Sequence, residues 1–426
     1  MTNQSRIIAS AMLFLLAALC TVGCVRRAAA TSGNAALFAM VADDLDNQLN
    51  GAQKDGLPQN EEDLRGNEPK PSDNAALVYA SVRSDLKKHW ADFVSVQRLN
   101  GPPGCREWSI ATKALPAIAP ELTKVESATK LPACWESKAG LATNLKQLAK
   151  TLCAKARIEA FSGNISGACE TLTATWRLAD HATDEPSMSG FINSMGIKRL
   201  ACWTAQAIIT DTKADRATLV ALQRTFQALT TLPDARPGFF GNFVLFLEVY
   251  RQTLNGNGVR EELEDVNDPH ILVRGVDDKT LIRAYVARTI EHFRKVNGIL
   301  KDQALTNREK SLRLVELYKG QWKLDETYRL VRATQDNADI ALNLPMAETW
   351  RALLLNGISL LLASPYGHAQ GSAALGTDPY TGGSFQYTQT IDGFRLSSAG
   401  VRGIVPDIPE ENVAPSSHVF VYPCKL

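Results

Sequence analysis

Apolar residues recur every three to four positions through most of this chain, the spacing that lines one face of a helix. The pattern is strongest between 138 and 231. Leu141, Leu145, Leu148 and Leu152 define a first stripe. Gly163 fits a helix stop and Asn164 the next helix start. The stripe that follows runs Ile165, Ala168, Leu172, Trp176 and Ala179. A third helix carries Phe191, Met195, Leu200 and Trp203. A fourth, capped by Asp215, carries Leu219, Leu222, Phe226 and Leu229. Short turns between them predict successive antiparallel helical hairpins. Gly163 and Ala168 are small where two of these helices approach closely.

Outside this block the pattern predicts a helix over 34–49, a polar loop over 50–72 and a helix over 74–99. Asp73 or Ser72 can cap the last, whose stripe is Leu77, Val82, Leu86, Trp90 and Phe93. Asn100-Gly101-Pro102-Pro103-Gly104 ends it. Further helices are predicted over 238–254 and 277–303, the latter with Ile282, Val286, Phe293, Val296 and Leu300 on one face. The stretch 306–345 is amphipathic. Ala352 to Ala363 is very apolar but too short to span a bilayer, and reads as a core helix.

The period then changes from helix to strand. Phe385 and Tyr387 alternate with polar residues, as do Phe394 and Leu396, and Asp392-Gly393 supplies the turn. The aromatic face of this hairpin needs a cover, most simply the helix over 346–363. His418-Val419-Phe420-Val421 predicts a third strand. The expected fold is therefore mainly α: antiparallel helical hairpins, irregular and in part tetratricopeptide-like, with a small C-terminal antiparallel β-hairpin or three-stranded sheet. Composition agrees. The tail from Ser372 is rich in Gly, Pro, Ser and Thr, and the region before it in Ala, Leu and Arg.

The N-terminus has the pattern of an export signal. Arg6 precedes an apolar run from Ile7 to Leu19, shorter than the ~20 residues of a bilayer span. Gly23-Cys24 follows. A lipoprotein signal places a small residue before the cysteine whose thiol receives the lipid, so Cys24 is the expected lipidation site. The alternatives are cleavage after Ala30, giving a soluble secreted or periplasmic protein, and an uncleaved anchor. The expected organisation is a signal peptide over 1–23, a tether over 24–33, a helical domain over 34–363 and a β-hairpin cap with an extended tail over 364–426. Export also permits disulfides. Cys169 and Cys202 lie at equal distances from the turn between two predicted antiparallel helices and form one candidate pair. Cys105 and Cys134, each beside a Trp in a Pro-flanked segment, form the other.

Chemistry is sparse. With 46 basic and 45 acidic residues, the net charge of +1 gives no electrostatic case for nucleic acid. No phosphate-binding loop, nucleophile elbow, paired-histidine zinc motif or C-x-x-C occurs. The histidines are scattered; His181, between Asp180 and Asp184, is expected as an imidazolium at a helix C-terminus. Glu261, Glu262, Glu264, Asp265 and Asp268 form an acidic cluster that reads as a solvated loop and helix start. No catalytic residue, metal or cofactor is expected.

The stretch AKARIEAFSGNISGACETLTATWRLADHATDEPSMSGFINSMGIKRLACW, residues 154–203, resembles the helical region of a group of uncharacterised exported bacterial proteins and, more distantly, a tetratricopeptide hairpin. Its Gly163-Asn164 turn, Ala168, and Leu-Ala-Asp-His followed by Asp-Glu-Pro carry the likeness. Asp378-Pro379-Tyr380, Gly382-Gly383, the Asp392-Gly393 hairpin and Ser398-Ala399-Gly400 resemble the C-terminal part of type II secretion pseudopilins. There the segment after the second strand can hold calcium; here it reads Gly400-Val401-Arg402-Gly403, with no acidic loop. The resemblance implies the architecture of an exported protein and no activity. Together with the export signal and Cys24 it leads to the expectation of a lipid-anchored envelope protein acting as a helical scaffold or protein-binding module with an envelope protein as partner. A hydrolase with an unrecognised carboxylate site and an accessory part of a secretion or pilus-like machine are the alternatives.

Overall fold

The computed structural model describes residues 34–135, 141–254, 278–321, 340, 342–363, 375–391, 393–404 and 419–422. They are mainly helical, with a three-stranded antiparallel sheet at the C-terminal end. The helices are α1 (Asn34–Asp43), α2 (Leu45–Lys54), α3 (Glu61–Arg65), α4 (Ala75–Leu86), α5 (Trp90–Gln97), α6 (Arg106–Ala128), α7 (Leu141–Phe161), α8 (Ile165–Thr183), α9 (Met188–Asp211), α10 (Arg216–Ala228), α11 (Arg236–Leu254), α12 (Asp278–Lys301), α13 (Asn307–Gln321) and α14 (Met346–Ala363). The strands are β1 (Gln386–Thr390), β2 (Gly393–Ser397) and β3 (Val419–Tyr422), in the order β1-β2-β3.

The chain folds into two compact units. One comprises the described residues up to Asn67, with Pro186–Met188 and Ala235–Leu342. In it α1, α2, α11 and α13 pack on α12, which buries Val286, Phe293, Val296 and Leu300. Arg294 ties α12 to the first helices, bonding Asp55 at 2.7 Å and Gln48 at 2.9 Å.

The other unit comprises Glu68–Glu185, Ser189–Asp234 and the described residues from Asn343 onward. The α7–α8 hairpin is its spine. Gly163 takes a positive φ of 87° at the turn, and Asn164 caps α8 by accepting from the Gly167 amide at 3.0 Å. Leu145, Leu148 and Leu152 face a core shared with α4, α5 and α6. Leu172, Trp176, Leu222 and Phe226 face a second core. There the apolar faces of α10 and α14 meet the sheet, whose Phe385, Phe394, Leu396 and Phe420 are buried against Trp350, Leu353, Leu354 and Ile358. The hairpin is thus part of this unit's core, with Tyr387 opposite Leu396 and Phe394 opposite Tyr422. Asp392 lies outside the described residues. No helix among the described residues is long and apolar enough to cross a membrane; α14 is a core helix.

Three local expectations are corrected. The first predicted helix breaks at Asp44 into α1 and α2, and the loop that follows contains α3. The helix predicted over 74–99 is capped by Asn74 and interrupted by a 3₁₀ turn over Lys87–His89. A 3₁₀ turn advances fewer residues per turn than an α-helix, so the phase of the stripe slips. Tyr79, Val82, Leu86 and Phe93 point inward, whereas Leu77 is 52% and Trp90 57% exposed. Outside the predicted elements, α6 runs unbroken through Pro116 and Pro120.

Candidate functional site

The polar residues singled out at the end of α8 form a junction inside the second unit. His181 is buried in the last turn. Its Nε2 lies 3.0 Å from the Leu131 carbonyl and its Nδ1 2.8 Å from the Tyr79 hydroxyl. A carbonyl can only accept, so Nε2 carries the proton and Nδ1 accepts from Tyr79. Burial lowers the His181 pKa below its ordinary value. This corrects the expected imidazolium: the ring is a neutral bridge between α4, α8 and the segment after α6. Burial, and then the proximity of Cys134 and Asp184, raises the Tyr79 pKa far above the phenol range, so Tyr79 remains a donor.

The flanking carboxylates complete the tie. Asp184 accepts from the Cys134 amide at 2.8 Å, and burial, with the nearby Asp180 carboxylate adding to it, pushes its pKa up to about 6. Asp180 accepts from Lys198 at 2.6 Å. Lys198 also donates to the Thr231 carbonyl at 2.7 Å and lies 4.8 Å from the Trp176 ring centroid. Burial works against both charges, raising Asp180 and lowering Lys198. On the same loop, buried Asn74 accepts from the amides of Ala76 and Trp135 and donates to the Trp135 carbonyl. Each of these groups is spent holding one segment to another.

The cysteines among the described residues are not joined. Cys105, Cys134, Cys153, Cys169 and Cys202 are free thiols. Cys105 caps the start of α6, its sulfur accepting from the Trp108 amide at 3.4 Å, and Cys134 follows the other end. A helix of 23 residues separates them by roughly 34 Å at 1.5 Å per residue, beyond any disulfide. Cys169 faces Thr225 of α10, while Cys202 is enclosed near Arg351, Lys198 and Cys153. Equal height on neighbouring helices did not give them facing side chains. Burial pushes the Cys153 thiol up to about 11 and raises Cys202 further, which leaves both unreactive. Cys24 and the acidic cluster at 261–268 lie outside the described residues. Among the described residues, no three His, Cys, Asp or Glu side chains are grouped to hold a metal ion.

One open site on the second unit is a groove between α4, α5 and α7 with a volume of about 320 Å³. Tyr79, Leu86, Phe93 and Leu148 form its apolar floor. Trp90 forms a wall, its indole standing out from the surface with its centroid 5.7 Å from that of Phe93. Arg83 and Lys87 stand on the rim with Asn144 and Gln147 opposite. Arg83 in the last turn of α4 and Lys87 just beyond its end both reach this rim. No carboxylate lines the groove. The neighbouring Asp85 is engaged by Lys88 at 2.8 Å and Lys124 at 3.6 Å, and neither Arg83 nor Lys87 has an ion-pair partner among the described residues. Tyr79 serves both regions: its ring floors the groove and its hydroxyl holds His181. Sequence reasoning placed Trp90 in the core and passed over Arg83 and Lys87. The basic run Lys87-Lys88-His89 ahead of the Trp was the available signal.

Compared with protein-family profiles, with curated proteins and with solved structures, the chain matches none.

Proposed function

We propose that this chain is an exported, lipid-anchored helical scaffold that holds another protein of the cell envelope. The observation that carries the reading is the groove between α4, α5 and α7. An exposed indole, an apolar floor and two cations with no ion-pair partner among the described residues converge there at an open surface, the combination of aromatic anchor and Arg that dominates protein interfaces. The signal-like N-terminus with Cys24 and the likeness of 154–203 to exported proteins support the location. The hydrolase alternative finds less support. Among the described residues, the most conspicuous group of shifted pKa values, at Tyr79, Asp180, His181, Asp184 and Lys198, is closed into hydrogen bonds that join segments.

Two variants separate anchoring from binding. Cys24→Ala should move the protein from the membrane fraction to the soluble fraction; unchanged fractionation would contradict the lipid anchor. Trp90→Ala should stay in the membrane fraction but lose the protein that co-purifies with the wild type after envelope cross-linking. Retention of the same complex by Trp90→Ala would contradict the binding role.

A further inference from the structure

We infer that the groove takes an acidic segment of a partner protein, anchored by one large apolar side chain and read by two carboxylates. This rests on the binding role proposed above and adds the chemistry of the partner.

Size sets the anchor. A volume of about 320 Å³ is at the lower end for small-molecule pockets, which run from about 300 to 1,000 Å³. It suits an inserted side chain better than a cofactor. The floor of Tyr79, Leu86, Phe93 and Leu148 offers only apolar surface beneath the open edge, so the inserted group is aromatic or large aliphatic. Trp90, half in solvent, would lose its exposed face to water-excluding contact. Gln147, exposed across the groove, carries both a donor and an acceptor, which suits a peptide backbone.

Charge sets the flanks. Arg83 and Lys87 are exposed, lack ion-pair partners among the described residues and meet no carboxylate in the lining. Their backbone positions are one turn apart, about 6 Å of rise. Carboxylates two residues apart on an extended segment are separated by about 6.8 Å, and those four apart on a helix by about 6 Å. Either spacing lets each cation meet one carboxylate, with Arg83 able to grip its partner in bidentate fashion. A single-stranded nucleic acid also combines bases with anions. The site has only two rim cations, though, and the chain carries a net charge of only +1, which favours a protein segment.

The test is selection from a displayed library of random dodecapeptides on the immobilised full chain, followed by affinity measurement for the best peptide. Wild type, Trp90→Ala and the double variant Arg83→Glu/Lys87→Glu are compared. All three positions are exposed, so unchanged circular dichroism and thermal midpoints confirm folding. The expected peptides carry a large apolar residue with Asp or Glu at spacings of two or four. Their affinity should fall at least tenfold in each variant, and more at low salt than at high salt for the charge reversal. Selected peptides without acidic bias, or affinity within twofold after charge reversal, would overturn the acidic assignment while leaving the groove as a binding site. Peptides that bind wild type and Trp90→Ala equally would overturn both. Tighter binding of an oligothymidylate than of any peptide would overturn the choice of a protein partner.

Discussion

Asn74 and His292 illustrate how single polar residues set the stability of each unit. Asn74 combines an N-cap bond with two bonds to Trp135, a residue 61 positions away. Its replacement by Ala removes the cap bond to the Ala76 amide, at about 1 kcal/mol, and strands the Trp135 amide, which costs about 1–3 kcal/mol when unsatisfied. Asn74→Ala should therefore lose about 2–4 kcal/mol, and Asn164→Ala, an exposed cap, only about 1 kcal/mol. Urea denaturation reads both, and equal losses would contradict the account. His292 is fully buried, and burial lowers its pKa to about 3. The unfolded residue binds a proton near pH 6.5 and the folded one does not until about pH 3. Below 6.5 the unfolded state therefore holds more protons, and stability falls as pH falls, by about 1.4 kcal/mol per unit. His292→Leu should remove that slope between pH 6 and 4. Parallel stability curves for variant and wild type would show that the ring accepts a proton without unfolding the unit. The caps at Asn164 and Asp215 were readable in the sequence because a cap is a local pattern. The roles of Asn74 and His181 were not, since their partners lie 50 or more positions away.

The helices of the α7–α8 hairpin and α10 were legible because their apolar spacing is uninterrupted and their stops are marked by glycine and capping residues. Where the helix type changes, the same reasoning fails. The 3₁₀ turn before α5 rotates Trp90 out of the core, so the residue that matters most to the groove was read as buried. The hairpin was legible from its period of two, and its cover was named correctly as α14. The fit there is tight: a Cβ added at Gly357 would stand 2.5 Å from the Phe420 ring. Gly357→Ala gains about 1 kcal/mol of helix propensity but forces the ring away, at about 1–3 kcal/mol. Phe420→Ala alone should cost about 3–5 kcal/mol. In the Phe420→Ala background the Gly357→Ala change should become stabilising. Strictly additive effects in thermal denaturation would mean that β3 does not seat on α14 as described.

At the scale of the molecule, the pairing of strands and the mainly helical class followed from pattern alone. The division into two units did not, because the first unit draws together residues before 68 and after 234, and sequence spacing is blind to such returns. The expected Cys169–Cys202 disulfide failed for a related reason, since height along a helix says nothing of the direction in which a side chain faces; Cys105 and Cys134 are parted by the length of α6. The second unit is a helical frame, pinned by the Tyr79–His181–Leu131 bridge, with the groove open at its surface. The central claim is that this groove holds a protein in the envelope. Photo-cross-linking in intact cells from Ser84, on the groove rim, tests it most directly, with exposed Arg224 on α10 as the control position. The account predicts one dominant adduct from Ser84 that is absent from Arg224 and disappears with Arg83→Glu/Lys87→Glu. No adduct from Ser84, or the same adducts from both positions, would contradict it.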